Sequence, residues 1–118
     1  MDNKDSFIFA ANSPLGVVVY CMKETWNNHI IAGHSSMAGK DDEVKNAIES
    51  PSSVFESFSH PLSRDVYFAY NRLYNEYLKV VVHNFETHSE VVSAWYQQAI
   101  KGNIGGLKYV NPKLRPEV

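Results

Sequence analysis

Apolar residues change their spacing twice along this chain. Phe7-Ile8-Phe9-Ala10 and Val17-Val18-Val19-Tyr20 are short continuous runs, separated by Asn12-Ser13-Pro14-Leu15-Gly16. β-Branched and aromatic side chains favour extended backbone, and a Pro and a Gly two residues apart mark a turn. The pattern predicts two strands joined by a turn. From Thr25 the period lengthens. Trp26, His29, Ile30 and Gly33 recur at helical spacing, so Trp26, His29 and Ile30 are expected near one helix face. Thr25 is placed to cap the start of this helix, and Gly33 to end it in a left-handed conformation. His34 then falls just past the helix end. Residues 35–40 are small and polar and read as a loop. Asp41, Asp42 and Glu43 put negative charge at the start of a second helix, with Val44, Ala47 and Ile48 as its apolar stripe and Pro51 just beyond its end.

After Pro51 the period shortens to two. Strands are predicted at 54–58, at 66–71 (Val66, Phe68 and Tyr70 alternating with Tyr67, Ala69 and Asn71), at 77–85 and at 90–96. Val80-Val81-Val82 suggests a central position for the third of these. In the fourth, strict alternation puts Val91, Ser93 and Trp95 on one face and Val92, Ala94 and Tyr96 on the other. A last short strand is placed at Leu107–Val110, followed by a tail over 111–118. The fold class expected is α+β: an N-terminal strand pair and two short helices packed on a C-terminal antiparallel β-meander of about four strands, all in one domain spanning 1–118.

Composition narrows the function classes. The chain has 118 residues, 44% hydrophobic and 20% charged, as in ordinary globular domains. The formal charge of −2 argues against a basic nucleic-acid coat. Basic residues nevertheless gather late: Lys101, Lys108, Lys113 and Arg115 face only Glu117 within 97–118. That stretch suits either a polyanion or a solvated tail. Cys21 is the single cysteine, which excludes an intramolecular disulfide and fits a reducing compartment. It closes an apolar run and reads as a buried small hydrophobe. No apolar run approaches the roughly 20 residues a membrane helix needs. The start, MDNKDSFIFAANSPLG, lacks the layout of a signal peptide, so a cytoplasmic location and no membrane partner are expected.

The candidate chemistry lies in TWNNHIIAGHSSM, residues 25–37. His29 and His34 are five apart, which is neither spacing that aligns two ligands on a helix. With one cysteine and no HExxH, no metal and no cofactor are expected. Phosphate-loop, dinucleotide and GxSxG patterns are absent. General acid–base chemistry remains, because histidine exchanges protons near neutral pH. Metal-free RNA cleavage needs a base for the 2′-hydroxyl, an acid for the leaving 5′-oxygen and donors for the phosphorane. His29 and His34 are candidates for the first two. Arg64, read as part of the loop before a strand, offers a fork-shaped phosphate donor, and Ser93 a hydroxyl from the sheet. Each also has a purely structural reading: His29 as a half-buried helix residue, His34 as a partner of the last helix carbonyls, Ser93 as strand packing, Arg64 as a surface cation. Trp26 is read as an anchor of the helix and as a substrate-binding candidate, as are Lys101 and Lys108. His60, His83 and His88 receive no role.

The stretches SPLGVVVYCMKETWNNHIIAGHSSM, SPSSVFES, DVYFAY, YLKVVVHNF and EVVSAWY, in that order, resemble the phage- and plasmid-borne members of the barnase–EndoU–colicin–RelE-like nuclease fold, the phage-type BECR domains. The likeness runs from about Ser13 to Val110. Its last triplet is Ser93-Ala94-Trp95 where the family often has Thr-Ala-Tyr, and either Arg64 or Arg72 stands for the family's arginine. The resemblance implies a metal-independent ribonuclease-like domain of toxin or effector type. It implies a cleft between the helices and the sheet, with His29 and His34 as acid–base residues, Ser93 in the threonine position, and Tyr67 or Tyr70 lining the cleft. RNA, such as tRNA, and an immunity or antitoxin protein are the partners it implies. The alternative is a catalytically inactive member that uses the same fold to bind a protein or a nucleic acid.

Overall fold

The computed structural model describes residues 6–114; Arg115 and Glu117 of the expected tail lie outside them. Strands β1 (Phe7–Asn12) and β2 (Val18–Met22) form the predicted antiparallel hairpin. In the turn, Gly16 N–H donates to the Ser13 carbonyl at 3.0 Å and Ser13 N–H to the Val17 carbonyl at 2.9 Å. Gly16 takes φ +84°, a conformation that side chains resist.

β2 runs directly into helix α1 (23–33). Thr25 therefore lies inside the helix and makes no capping hydrogen bond, contrary to the N-cap expectation. Helix α1 is not uniform. An α-turn at Lys23–Thr25 leads into a π-turn at Trp26–Ile30, and an α-turn at Ile31–Gly33 completes it. The widened turn is closed by Ile31 N–H donating to the Trp26 carbonyl. Trp26 and Ile30 both point into the core, at 5% and 1% exposure, while His29 stays outside. Gly33 is the last helical residue, but no left-handed glycine stops the helix. The chain instead leaves through His34 in a non-helical conformation (φ −142°, ψ 82°). The loop expected at 35–40 holds a 3-10 turn, Ser35–Met37, that buries Met37 completely. Helix α2 (Asp41–Glu49) follows as predicted, with its three acidic residues in the first turn and Val44, Ala47 and Ile48 buried.

Five further strands complete one sheet: β3 (Ser53–Ser57), β4 (Arg64–Asn71), β5 (Glu76–Asn84), β6 (Ser89–Gln97) and β7 (Ile104–Val110). Their order is β1-β2-β6-β5-β4-β3-β7. The expected four-strand meander is present as β3 to β6, but among the described residues the sheet has seven strands. β7 adds to the outer edge of β3 and is longer than the short strand expected at 107–110. The N-terminal pair is not a separate layer: β2 joins β6 in parallel through Val19 and Tyr20, so the sheet is mixed. Arg64 is the first residue of β4, not part of the preceding loop.

Helices α1 and α2 share one side of the sheet with the main core. There Leu78, Val80 and Val82 of β5, Tyr67 of β4 and Ala94 of β6 meet Val19, Ile30, Val44 and Ile48. Fully burying an aliphatic side chain of this kind contributes roughly 1.5–3 kcal/mol.

The other side of the sheet is organised in rows across β4, β5 and β6. Strand pairing aligns Arg64, His83 and Glu90; then Val66, Val81 and Ser93; then Phe68, Lys79 and Trp95; then Tyr70, Tyr77 and Gln97. Neighbours within a row have Cβ atoms about 4.5–5.5 Å apart. A β-bulge in β6 sets these rows. Val81 opposes Ser93 while Val82 opposes Val91, so one extra residue intervenes. The simple alternation expected for 90–96 therefore breaks: Val91 turns into the core at 2% exposure, while Ser93 and Trp95 keep the other face. Bulges commonly re-aim side chains in this way.

The connection from β6 to β7, residues 98–103, crosses this second face as a strap. Lys79 Nζ donates to the Lys101 carbonyl at 3.1 Å and to the Gly102 carbonyl at 2.7 Å. The same ammonium lies 5.0 Å from the Trp95 ring centroid, close enough for a cation–π contact. Lys79 is left 4% exposed, and burial lowers its pKa below the usual lysine value. At the far end of the strap, Phe58 N–H donates to the Asn103 carbonyl at 2.9 Å and Asn103 Nδ2 to Ser59 Oγ at 2.8 Å.

Candidate active site

The strap leaves the first row, Arg64–His83–Glu90, uncovered. Helix α1 runs beside β6 past the point where β2 stops pairing, and its exposed flank closes the row into an open cleft of about 430 Å³. Thr25 and His29 line the cleft from α1, Arg64 from β4, His83 and Phe85 from β5 and the segment after it, and Glu90 to Val92 from β6. The π-turn is what frees His29 for this position, because Trp26 and Ile30 of the same turn are committed to the core. Single π-turns inside helices occur often at functional sites.

Arg64 Nε donates to His83 Nδ1 at 3.3 Å. That contact makes Nδ1 the unprotonated nitrogen and leaves His83 as the Nε2–H tautomer. It also aligns the guanidinium and spends only one of its five N–H groups. On the opposite side of the row, His88 Nε2 and Glu90 Oε2 are 2.8 Å apart. One carboxylate oxygen of Glu90 is thus held from outside the cleft. The arrangement combines a fork-shaped cation, a carboxylate and an imidazole around one solvent-open space. Such a set can bind a phosphate and move a proton to or from a group beside it.

Of the residues singled out from sequence, His29 and Arg64 meet in this cleft. Arg72 lies at the other end of the sheet beside Tyr70, so Arg64 is the arginine that shares the cleft with His29. His34 does not line the cleft. Its ring stacks on Trp95, with centroids 5.3 Å apart and planes 21° apart, so Trp95 lies between an imidazole and the Lys79 ammonium. Ser93 faces the same side one row in from Glu90 but is not part of the cleft lining. Trp26 is a core residue. Tyr67 is completely buried on the helix side, its hydroxyl 2.6 Å from Ser13 Oγ, and burial pushes its pKa up to about 12. Tyr70 begins three rows away, packed edge-on against Tyr77 and bonded to Asn75. Lys108 is committed to Asp65 at 2.8 Å, and Asp65 also accepts from Asn84 Nδ2 at 2.9 Å. Lys101 meets Lys79 only through its backbone carbonyl. Burial pushes the Cys21 thiol up to about 12, a state that suits packing and not nucleophilic attack.

Sequence reasoning missed His83 and Glu90. Period-two alternation held the signal for His83: Leu78, Val80 and Val82 are buried, so Tyr77, Lys79, Val81 and His83 share the opposite face. Among the described residues, no three or more His, Cys, Asp or Glu side chains gather as a group able to hold a metal, and no helix is long and apolar enough to cross a membrane. Comparisons with family models, curated proteins and solved structures return no match.

Proposed function

We propose that the cleft is a phosphodiester-cleaving site and that the chain is a metal-independent ribonuclease-like domain of toxin or effector type. The observation that carries this reading is the meeting of His29, Arg64 and Glu90 around one open space, with Arg64 oriented by His83. In the proposed reaction a base takes the 2′-hydroxyl proton of RNA, and the 2′-oxygen attacks the adjacent phosphorus. The P–O bond to the 5′-oxygen breaks, and an acid protonates that leaving oxygen. The products are a 2′,3′-cyclic phosphate and a free 5′-hydroxyl. Glu90 serves as the base, His29 in its protonated form as the acid, and Arg64 holds the phosphate oxygens in a bidentate grip. His83 is a positioning residue, because the nitrogen that would accept a proton is already engaged by Arg64. His34 and Ser93, first candidates from sequence, take supporting places: His34 braces Trp95, and Ser93 stands next to the cleft floor.

The test is incubation of the purified protein with tRNA and total RNA in excess chelator, with end-group analysis of any fragments. Cleavage with cyclic phosphate ends supports the reading. Intact RNA at high protein concentration, together with binding of the same RNA, would support the inactive binding module instead.

A further inference from the structure

Phe85 is an aromatic side chain in the cleft lining for which the catalytic scheme has no use. It is 49% exposed, and its open surface faces into the cleft. Its position is strongly held. Phe85 N–H donates to the His88 carbonyl at 2.7 Å, and Asn84 N–H donates to the Ser63 carbonyl at 2.7 Å, which fixes the backbone leading into the ring's attachment. The phenyl ring stacks on His88, with centroids 5.1 Å apart and planes 17° apart, and His83 meets it edge-on at 4.7 Å. His88 is itself held by Glu90 at 2.8 Å and by the Tyr20 ring at 5.7 Å. The phenyl ring is thus packed against two imidazoles, His83, which lines the cleft, and His88, which holds Glu90 from outside it.

Phe85 stands two residues beyond His83, the side chain that orients Arg64. Phe85 lies just past the end of β5, and its ring centroid is 4.7 Å from that of His83, a member of the row proposed to grip phosphate. A nucleotide whose phosphate meets Arg64 would bring its base to that ring. Unpaired bases stack on aromatic side chains regardless of sequence, and the ring needs no polar partner to accept one. Duplex bases are already stacked on each other and are not available to it.

We infer that Phe85, backed by His88, is a stacking platform for an unpaired nucleobase beside the scissile phosphate, so that the cleft selects single-stranded over duplex nucleic acid. This inference rests on the proposed phosphodiester reading. The probe is a short single-stranded RNA with 2′-O-methyl sugars, which cannot supply the attacking hydroxyl, labelled at one end and titrated with protein by fluorescence anisotropy. The same strand annealed to its complement is the control. Wild-type protein is expected to prefer the single strand. Phe85→Ala should weaken single-strand binding about tenfold or more with little change for the duplex, and Phe85→Trp should retain it, with quenching of the new indole as strand is added. Single-strand binding that falls with Arg64→Ala but is unchanged in Phe85→Ala would overturn the platform and leave the phosphate site standing. Absence of binding to either form would overturn both.

Discussion

The two ends of one sheet face make a controlled comparison. Both carry a basic side chain in the same kind of cross-strand row, Arg64 beside His83 at one end and Lys79 beside Trp95 two rows away. Lys79 is roofed by residues 98–103, gives hydrogen bonds to two carbonyls and rests on aromatic rings. Among the described residues Arg64 has no roof and a single side-chain hydrogen bond, to His83, which aims it, and Arg64 lines the cleft. The difference lies in cover and not in residue chemistry. A buried cation whose donors are consumed by backbone holds a loop in place. An exposed cation with one donor consumed is oriented and still able to bind. Stability should therefore depend on the Lys79 end, and activity on the Arg64 end.

The largest effect should come at the open end. His29→Ala and Arg64→Ala are each expected to lower the rate of RNA cleavage by about 10²–10⁴-fold, with the thermal midpoint nearly unchanged because both side chains sit outside the core. Single-turnover cleavage assays alongside thermal melts check this. Arg64→Lys should recover little activity, since an ammonium cannot reproduce the two-pronged grip.

At the roofed end, Lys79→Ala should cost about 2 kcal/mol by urea denaturation, through the two abandoned carbonyls and the lost packing of the lysine stem. Cleavage per folded molecule should not change. A loss of activity equal to that of Arg64→Ala would collapse the distinction between the two ends.

The pH dependence sharpens the same contrast. Burial lowers the folded-state pKa of Lys79 below the usual lysine value of 10.5. Between the two values the unfolded chain binds the extra proton, so this group makes stability rise with pH. Cys21 acts in the opposite direction, because its folded pKa is raised from 9.0 to about 12 and its contribution is lost as pH climbs through that interval. Measured against Lys79→Met, which keeps Cys21, the wild-type protein should gain relative stability as pH rises toward 10.5. The slope should reach at most about 1.4 kcal/mol per pH unit. A flat difference would mean that Lys79 is not desolvated by the strap.

The smallest effect concerns the strap itself. Gly102 has φ +93°, and an added Cβ would lie 2.8 Å from Lys79 Nζ. Gly102→Ala should cost about 1 kcal/mol, most of it backbone strain, and should leave cleavage untouched in a melt-and-assay comparison.

Much of this plan was legible in the residues because local patterns encode it. Period-two alternation located β4 and β5, and Asp41-Asp42-Glu43 with Val44, Ala47 and Ile48 located α2. What was not legible depends on pairing between distant segments. Nothing near Val91 announces that the bulge in β6 turns it inward and fixes Ser93 opposite Val81. Alternation separates Tyr67 from Tyr70, but nothing local says which of the two faces meets the helices; Tyr67 goes into the core and Tyr70 to the other face. The site was half visible for the same reason. His29 stood out by composition, and Arg64 by charge. His83 and Glu90 acquire a role only when strands 19 and 7 residues apart in sequence bring them into one row. His34, which composition also highlighted, stacks on Trp95 and does not line the cleft.

The most direct measurement is the rate of single-stranded RNA cleavage in excess chelator by wild-type protein and by His29→Ala at matched folded concentration, with fragment ends identified. The expected result is cyclic phosphate ends from the wild type and a loss of at least about 100-fold in the variant, with both proteins melting at the same temperature. Equal rates for the two proteins, or intact RNA with folded wild-type protein, would contradict the assignment of the cleft.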